Sequence, residues 1–229
     1  MTSLVPQSLR LALARRSCRL PVQRRLLEQP LPARNARVAD MEMVALDFET
    51  TGLDARSDHI IAAGWVLIRG DRIILGSARE VRVRNEAPHG VGQSAVIHGI
   101  LDSDLDDAAD SGAMVECLLP QLAGRAVVAH AAVIERGFLS ALLRRLGGTA
   151  LPNPFIDTMA LERRLMEAEG NAPRELHGDL TLDACRTRRG LPDYRRHSAA
   201  ADAVAAAELF LAQLAQFGGA EQVSLRELR

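Results

Sequence analysis

The order of the predicted strands and helices constrains the fold of this chain more than any other feature. Apolar and alternating runs predict strands over 43–49, 59–69, 72–84, 126–130 and 154–157. Helical periodicity appears over 113–123, 133–146, 158–168, 180–189 and 199–216. Three strands in a meander, followed by strands that alternate with helices, predict an α/β fold with a mixed sheet.

Length and composition place the chain among soluble globular proteins. It has 229 residues, of which 48% are hydrophobic and 25% are charged, typical of one core with some additional chain. No apolar run approaches the roughly 18 residues that span a bilayer, which excludes an integral membrane protein. Three widely spaced cysteines suit neither a disulfide framework nor a Cys-x-x-Cys metal site, and predict a reducing, cytoplasmic compartment.

The first forty residues differ in charge from the rest. Residues 1–40 contain eight arginines and two acidic residues, a net charge of +6, whereas the whole chain carries −1. A basic amphipathic helix is predicted over 8–28, and Pro21, Pro30 and Pro32 predict breaks and a linker. We therefore expect a helical extension over 1–40, a main domain over 41–218 and a short tail over 219–229. The helix could pack on the outside of the domain, contact nucleic acid or act as a cleaved targeting segment.

Two acidic residues at the end of the first predicted strand are candidate ligands. Asp47 and Glu49 lie two positions apart, so that both side chains are expected on one face of the strand. Open α/β sheets bind ligands at the carboxyl ends of their strands. Carboxylates that converge there repel one another unless a proton or a cation lies between them, and oxygen ligands favour Mg²⁺ or Mn²⁺ over Zn²⁺. On its own the pair fits a solvated rim at least as well as a metal site.

The residues that follow this pair narrow its interpretation. Gly52 permits a tight turn and a close approach of the backbone to a ligand. The run Asp47-Phe48-Glu49-Thr50-Thr51-Gly52 resembles the first motif of the DEDDh 3′→5′ exonucleases, the group that contains the proofreading epsilon subunit of bacterial DNA polymerase III.

The start of the last predicted helix resembles the third motif of the same family. His197 is followed five positions later by Asp202, which lies one turn into the helix, so that both side chains can face one cleft. The tyrosine variant of the superfamily would need a tyrosine where this chain has Ser198, and Tyr194 lies too far upstream to replace it. The helix N-terminus also favours anions such as phosphate.

The middle motif is imperfect. The family pattern His-Asn-Ala-x-Phe-Asp, followed by Phe-Leu, is matched in frame from His130 to Leu139. Ala131, Ile134 and Glu135 stand where the family has Asn, Phe and Asp. Because glutamate offers the same oxygen ligands on a side chain one methylene longer, we expect a looser second metal position.

The resemblance covers about residues 43–215 and implies an RNase H-like mixed β-sheet flanked by helices. The implied reaction is hydrolysis of the phosphodiester bond at the 3′ end of DNA with release of nucleoside monophosphates. Two Mg²⁺ or Mn²⁺ ions would be held by Asp47, Glu49, Glu135 and Asp202, and His197 would be the general base. The residues implied to contact the terminal nucleotide are Thr50, Thr51, Leu53 and His98.

The implied partners are single-stranded 3′ ends of nucleic acid, with DNA favoured, and replication or repair proteins; no membrane is implied, and no motif specifies an oligomeric state. An aromatic content of 3% predicts a grip on only a few terminal nucleotides. Two alternatives stay open: a nucleic-acid-binding accessory subunit with weakened catalysis, and an exoribonuclease acting on short RNA ends. Only about a dozen residues follow the last predicted helix, so that an enzyme acting outside a polymerase fits as well as a proofreading one.

Overall fold

A mixed five-stranded sheet lies between two layers of helices in the computed structural model. The structure describes residues 7–85, 90–94, 98–171, 178–194 and 198–229. The strands are β1 (Glu42–Thr50), β2 (Ile60–Arg69), β3 (Arg72–Arg82), β4 (Ala126–Ala129) and β5 (Phe155–Asp157). The α-helices within these residues are α1 (Gln7–Ser17), α2 (Pro21–Glu28), α3 (Ser111–Leu122), α4 (Val133–Arg145), α5 (Thr158–Ala168), α6 (Leu182–Arg188) and α7 (Ala199–Gln216). None of these described helices combines the length and the hydrophobicity that a membrane span requires.

The strand order of the sheet is β3-β2-β1-β4-β5. The first three strands pair antiparallel, as expected for a meander, whereas β4 pairs parallel with both β1 and β5. The predicted α/β class with a mixed sheet flanked by helices is confirmed. In the β1–β2 ladder, Asp47 lies opposite Gly64 and Glu49 lies opposite Ala62.

Alternation along β1 divides its side chains between two cores. The even-numbered residues from Val44 to Phe48 are buried with residues of α2, α3 and α4. The odd-numbered residues Met43 and Ala45 are buried on the opposite face, with residues of α7. Asp47 and Glu49 continue the odd-numbered face at the carboxyl end of the strand, so that they lie on the α7 side of the sheet.

The N-terminal segment forms two helices instead of the single helix predicted over 8–28. Leu20 has an extended backbone (φ −81°, ψ 114°) and Pro21 begins α2, because a proline disfavours helical geometry in the residue before it. The second helix packs into the first core through the fully or nearly fully buried side chains Val22, Leu26 and Leu27. The C-terminal residues Val223, Leu225 and Leu228 are buried in the second core.

A buried carboxylate joins the three helices on the α7 side of the sheet. Glu162 of α5 is fully buried and accepts hydrogen bonds from Arg188 (3.1 Å), Arg189 (3.0 Å) and Gln213 (2.9 Å). Burial alone would raise the pKa of Glu162, but these donors lower it below its ordinary value of 4.5. The network fixes α7 against α5 and α6.

Candidate active site

Three carboxylates from two elements converge at the carboxyl end of β1. Asp47 and Glu49 come from the strand and Asp202 comes from the first turn of α7. One oxygen atom from each lies within 4.8 Å of one from each of the others. All three side chains are partly buried. The alternation of β1 explains the first two, and the docking of α7 explains the third.

A glycine in the middle of β2 allows the first turn of α7 to lie against the sheet. Gly64 lies opposite Asp47 in the ladder. A Cβ atom built on Gly64 would lie 1.9 Å from the carbonyl carbon of Ala199 and 2.1 Å from the backbone nitrogen of Ala200. The first turn of α7 therefore lies directly on the bare backbone of β2. Sequence reasoning did not single out Gly64, although a glycine inside a strand often marks such a close approach.

The N-terminus of α7 is bound by a carboxylate from β3. The Oε2 atom of Glu80 accepts hydrogen bonds from the Ser198 hydroxyl (2.6 Å) and from the Ala200 backbone N–H (3.1 Å). A negative charge is favoured at this end of a helix. Two donors at this helix N-terminus, where an anion such as phosphate is favoured, therefore bind an internal carboxylate. The contact joins residues 118 positions apart, and no local pattern in the sequence pointed to it.

The surroundings of Asp47 and Glu49 disfavour their ionised forms. Burial, and then the charges of Glu135 and Asp202, raise the pKa of Asp47 well above its ordinary value. Burial and the charges of Asp202 and Glu80 raise the pKa of Glu49 to about 7. Without a compensating cation, the cluster therefore retains protons near neutral pH.

Glu135 lies beside this group without belonging to it. It is buried in the first turn of α4, and its charge acts on Asp47, but it is not one of the three mutually close carboxylates. Burial raises the pKa of Glu135 to about 8. Its Oε2 atom is buried and has no hydrogen-bond partner within the part of the chain that the structure describes. A buried polar atom normally has such a partner.

The backbone before α4 is strained. Ala131 has φ = 59°, the left-handed region, and is the only non-glycine residue with a positive φ among the described residues. Its N–H donates to Asp157 Oδ1 at 3.1 Å. Asparagine, which the family motif has at this position, adopts this conformation more readily than alanine.

His130 of the middle motif joins the end of β4 to the second helical layer. Its Nε2–H donates to the Leu180 carbonyl (2.8 Å), and its Nδ1 accepts from the Thr158 hydroxyl (2.9 Å). Burial lowers the pKa of His130, so that the ring is neutral. Both ring nitrogens are therefore engaged within the fold.

The predicted nucleotide-contacting loop follows β1. The Thr50 hydroxyl donates to the Gly52 carbonyl (2.6 Å), and the Thr51 hydroxyl accepts from the His59 N–H (3.0 Å). Leu53 is 80% exposed. The threonine hydroxyls therefore shape the turn, and the leucine side chain projects into solvent.

Of the two histidines predicted for the site, the structure describes His98 but not His197. His98 is buried, its Nδ1 accepts from the Ile100 N–H (3.1 Å), and its Nε2 bonds to the Ser94 hydroxyl (3.0 Å). His197 lies outside the described residues, immediately before Ser198.

Tyr194 touches the carboxylate cluster directly. Its hydroxyl donates to Asp202 Oδ1 at 2.5 Å. Burial and the Asp202 carboxylate raise the pKa of Tyr194 above its ordinary value, so that the hydroxyl keeps its proton. Sequence reasoning set this tyrosine aside because it lies outside the motif spacing.

The donor set fits divalent cations. The ligand atoms that the described residues provide in this cluster are carboxylate oxygens, which Mg²⁺ and Mn²⁺ prefer. The raised pKa values of Asp47 and Glu49, together with a Glu135 Oε2 atom that has no hydrogen-bond partner in the described part of the chain, indicate negative groups with too few balancing donors among the described residues. A cation among them would provide that balance.

Known proteins resemble this chain along most of its length. A DNA polymerase III PolC-type protein of Thermotoga maritima is 31% identical over 176 residues, 75% of this chain and 12% of the relative. A DNA polymerase III subunit epsilon-like protein of Rhodobacter capsulatus is 32% identical over 178 residues, 75% of this chain and 23% of the relative. The chain thus spans less than a quarter of either relative.

Among solved structures, the nuclease domain of 3′hExo, a DEDDh family member bound to rAMP, has the same fold. It superimposes with a TM-score of 0.67 at 16% identity, covering 85% of this chain and 98% of that domain. The RNase H-like sheet implied by the resemblance is thereby confirmed. The family model described as exonuclease, RNase_T, matches residues 44–210. A match over most of the chain shows that this protein, which resembles the DEDDh enzymes in its motifs, belongs to the exonuclease family.

Proposed function

We propose that this exonuclease works in the 3′→5′ direction on the ends of DNA and releases nucleoside monophosphates. The observation that carries the proposal is the convergence of Asp47, Glu49 and Asp202 within 4.8 Å at the open end of the sheet. Two of these carboxylates belong to the first motif and the third belongs to the last one.

The carboxylates support a site for two ions, Mg²⁺ or Mn²⁺. Asp47 would contact both ions, Glu49 and Asp202 would complete the first position, and Glu135 would contribute to the second. The electrostatic influence of Glu135 on Asp47 supports its inclusion. Divalent cations at such a site stabilise the negative charge that develops on the phosphodiester oxygens.

The remaining residues act on water and substrate. His197 would accept the proton of the attacking water, a task suited to an imidazole whose ordinary pKa is about 6.5. Leu53 would contact a terminal base through its exposed side chain, on the turn that Thr50 and Thr51 shape, with His98 nearby.

Two observations bear on the substrate and the partners. The relatives are named as DNA polymerase III proteins, which supports DNA and a replication context. The nuclease domain of 3′hExo was bound to rAMP, a ribonucleotide, so that RNA is the necessary comparison. Discrimination between the two depends on contacts to the 2′-hydroxyl.

The test uses matched DNA and RNA oligonucleotides labelled at either the 3′ or the 5′ end. With Mg²⁺ or Mn²⁺, we expect immediate release of 3′-labelled mononucleotide from DNA and progressive shortening of the 5′-labelled strand. Asp47→Asn should abolish release, whereas Asp71→Asn, which changes an exposed carboxylate on the β2–β3 turn, should not. Failure to degrade either polymer would refute the nuclease proposal, and degradation of RNA alone would refute the choice of DNA.

One observation favours the second candidate, an accessory nucleic-acid-binding protein with weakened catalysis. Glu135 replaces the aspartate of the family motif and lies outside the three-carboxylate group. The variant Glu135→Asp separates the two functions. A large gain in turnover would indicate a damaged site, whereas an unchanged or lower rate would indicate a site adapted to glutamate.

A further inference from the structure

The segment between α6 and α7 brings a tyrosine to the carboxylate cluster. Tyr194 lies eight positions before Asp202, outside the spacing of the family motif, and its hydroxyl donates to Asp202 Oδ1 at 2.5 Å. A bond of this length between a hydroxyl and a carboxylate is in the strong, charge-assisted range. It occupies one oxygen of a carboxylate whose neighbours are Asp47 and Glu49.

The tyrosine ring is itself fixed by a buried arginine. The Arg186 guanidinium carbon lies 4.6 Å from the centre of the Tyr194 ring, a cation–π distance. Arg186 has a side chain only 3% exposed, and it donates to the Ala205 carbonyl (2.9 Å), the Glu208 carboxylate (2.7 Å) and the Pro192 carbonyl (2.9 Å). Since these acceptors belong to α7 and to the segment before it, the hydroxyl is aimed at Asp202 by a rigid support.

We infer that Tyr194 is a positioning residue, which holds one oxygen of Asp202 so that the other is presented to a divalent cation. This inference rests on the proposed function, in which Asp202 is a metal ligand. A partner that holds a ligating carboxylate in place restricts its rotation, and removal of such a partner typically lowers metal affinity or activity by about 10–100-fold. The ring and Arg186 provide the support, and the hydroxyl alone makes the contact.

The first experiment compares Mn²⁺ binding by the wild type and Tyr194→Phe, followed by the electron paramagnetic resonance signal of free Mn²⁺. The variant keeps the ring over Arg186 and loses only the hydroxyl, so that we expect the fold to be kept, a melting temperature without metal that is a few degrees lower, and about 10-fold weaker binding. Ser77→Ala is the matched control, because among the described residues that hydroxyl bonds only backbone atoms, Leu67 N–H and the Ile74 carbonyl. It should bind Mn²⁺ as the wild type does.

The second experiment uses the fact that Tyr194 is the only tyrosine of the chain. Replacement of tyrosine by 3-fluorotyrosine gives a single ¹⁹F resonance at this position in the otherwise unchanged protein. We expect Mg²⁺ to shift this resonance and Mn²⁺, which is paramagnetic, to broaden it. This readout does not depend on the folding of any variant.

The outcomes separate the two proposals. Wild-type affinity in Tyr194→Phe, or a ¹⁹F resonance that neither ion affects while Mn²⁺ binds, would overturn the role of Tyr194 and leave the metal site intact. Absence of Mn²⁺ binding by the wild type would overturn both. In an Asp202→Asn background, Tyr194→Phe should cause no further loss of Mn²⁺ affinity, since the two residues act through one contact. An undiminished loss of affinity would contradict the inference.

Discussion

Replacing Ala131 by glycine should stabilise this protein, although an alanine-to-glycine substitution usually lowers the stability of a protein. The residue has φ = 59°, its N–H donates to Asp157 Oδ1 at 3.1 Å, and its carbonyl accepts from the Ile134 N–H at 2.9 Å. Neither bond involves a side-chain atom of Ala131, so that both survive the substitution. What changes is the cost of the left-handed backbone.

The magnitude follows from two opposing contributions. An L-residue in the left-handed region costs about 1–2 kcal/mol, which glycine removes. Glycine also increases the conformational entropy of the unfolded chain, which costs about 0.4–1 kcal/mol. We therefore expect the free energy of unfolding of Ala131→Gly to rise by about 0.5–1 kcal/mol, and its melting temperature by about 1–4 °C for a domain of this size. Ala131→Asn should gain about 1 kcal/mol, since asparagine adopts this conformation without the added entropy.

The adjacent residue provides the control. Ala132 has an ordinary helical backbone (φ −51°, ψ −14°) and is 5% exposed. Ala132→Gly should lower the free energy of unfolding by about 1–2 kcal/mol, because it loses a buried methyl group and gains chain entropy. Urea unfolding of the metal-free proteins measures all three variants. If Ala131→Gly is destabilised as much as Ala132→Gly, the strain argument is refuted.

Three further substitutions test the elements that position the site. Gly64→Ala should lower the free energy of unfolding by about 3 kcal/mol and weaken Mn²⁺ binding, because α7 must move. Gly76→Ala, whose Cβ would have no neighbour within 4 Å, should change neither stability nor Mn²⁺ binding, and equal effects of the two variants in thermal melts and metal titrations would contradict this. Glu80→Ala removes the cap of α7 and should lower the free energy of unfolding in urea by about 1 kcal/mol. Glu221→Ala, which removes an exposed carboxylate, should lower it by less than about 0.5 kcal/mol, and similar losses in the two variants would refute the role of Glu80 as a cap. Glu162→Gln should lose about 3–5 kcal/mol at pH 7, because two arginines lose their buried counter-ion. Since the folded-state pKa of Glu162 is lowered, its contribution to wild-type stability is present above about pH 4.5 and is lost as the pH falls through the folded value, and acid titration of the variant should lack that loss.

The sequence was sufficient to predict the sheet and the two carboxylates of β1. Short apolar runs have a clear period of two, and the hydrophobic pattern of β1 specifies which residues point to which face. Once the strand was assigned, the common face of Asp47 and Glu49 followed from geometry alone. The family motif then pointed to Asp202, which the structure brings to within 4.8 Å of both.

The contacts that hold these carboxylates in place were not predictable in the same way. Gly64, Glu80 and Tyr194 act on α7 through tertiary contacts, and no local periodicity describes a contact between β3 and a helix start 118 residues later. The break between α1 and α2 is different, because Pro21 is visible in the sequence and predicts a break at that point.

Because the side chains of β1 alternate between two faces, the acidic site forms only when the sheet forms in the correct register. A shift of the strand by one position would place Asp47 and Glu49 in the core lined by Val44 and Phe48, where unpaired charges are strongly disfavoured. Misregistered molecules should therefore fail to become native at all, instead of accumulating as well-folded but inert protein. In a refolding experiment, recovery of native structure and recovery of ion binding should rise together, with one time course.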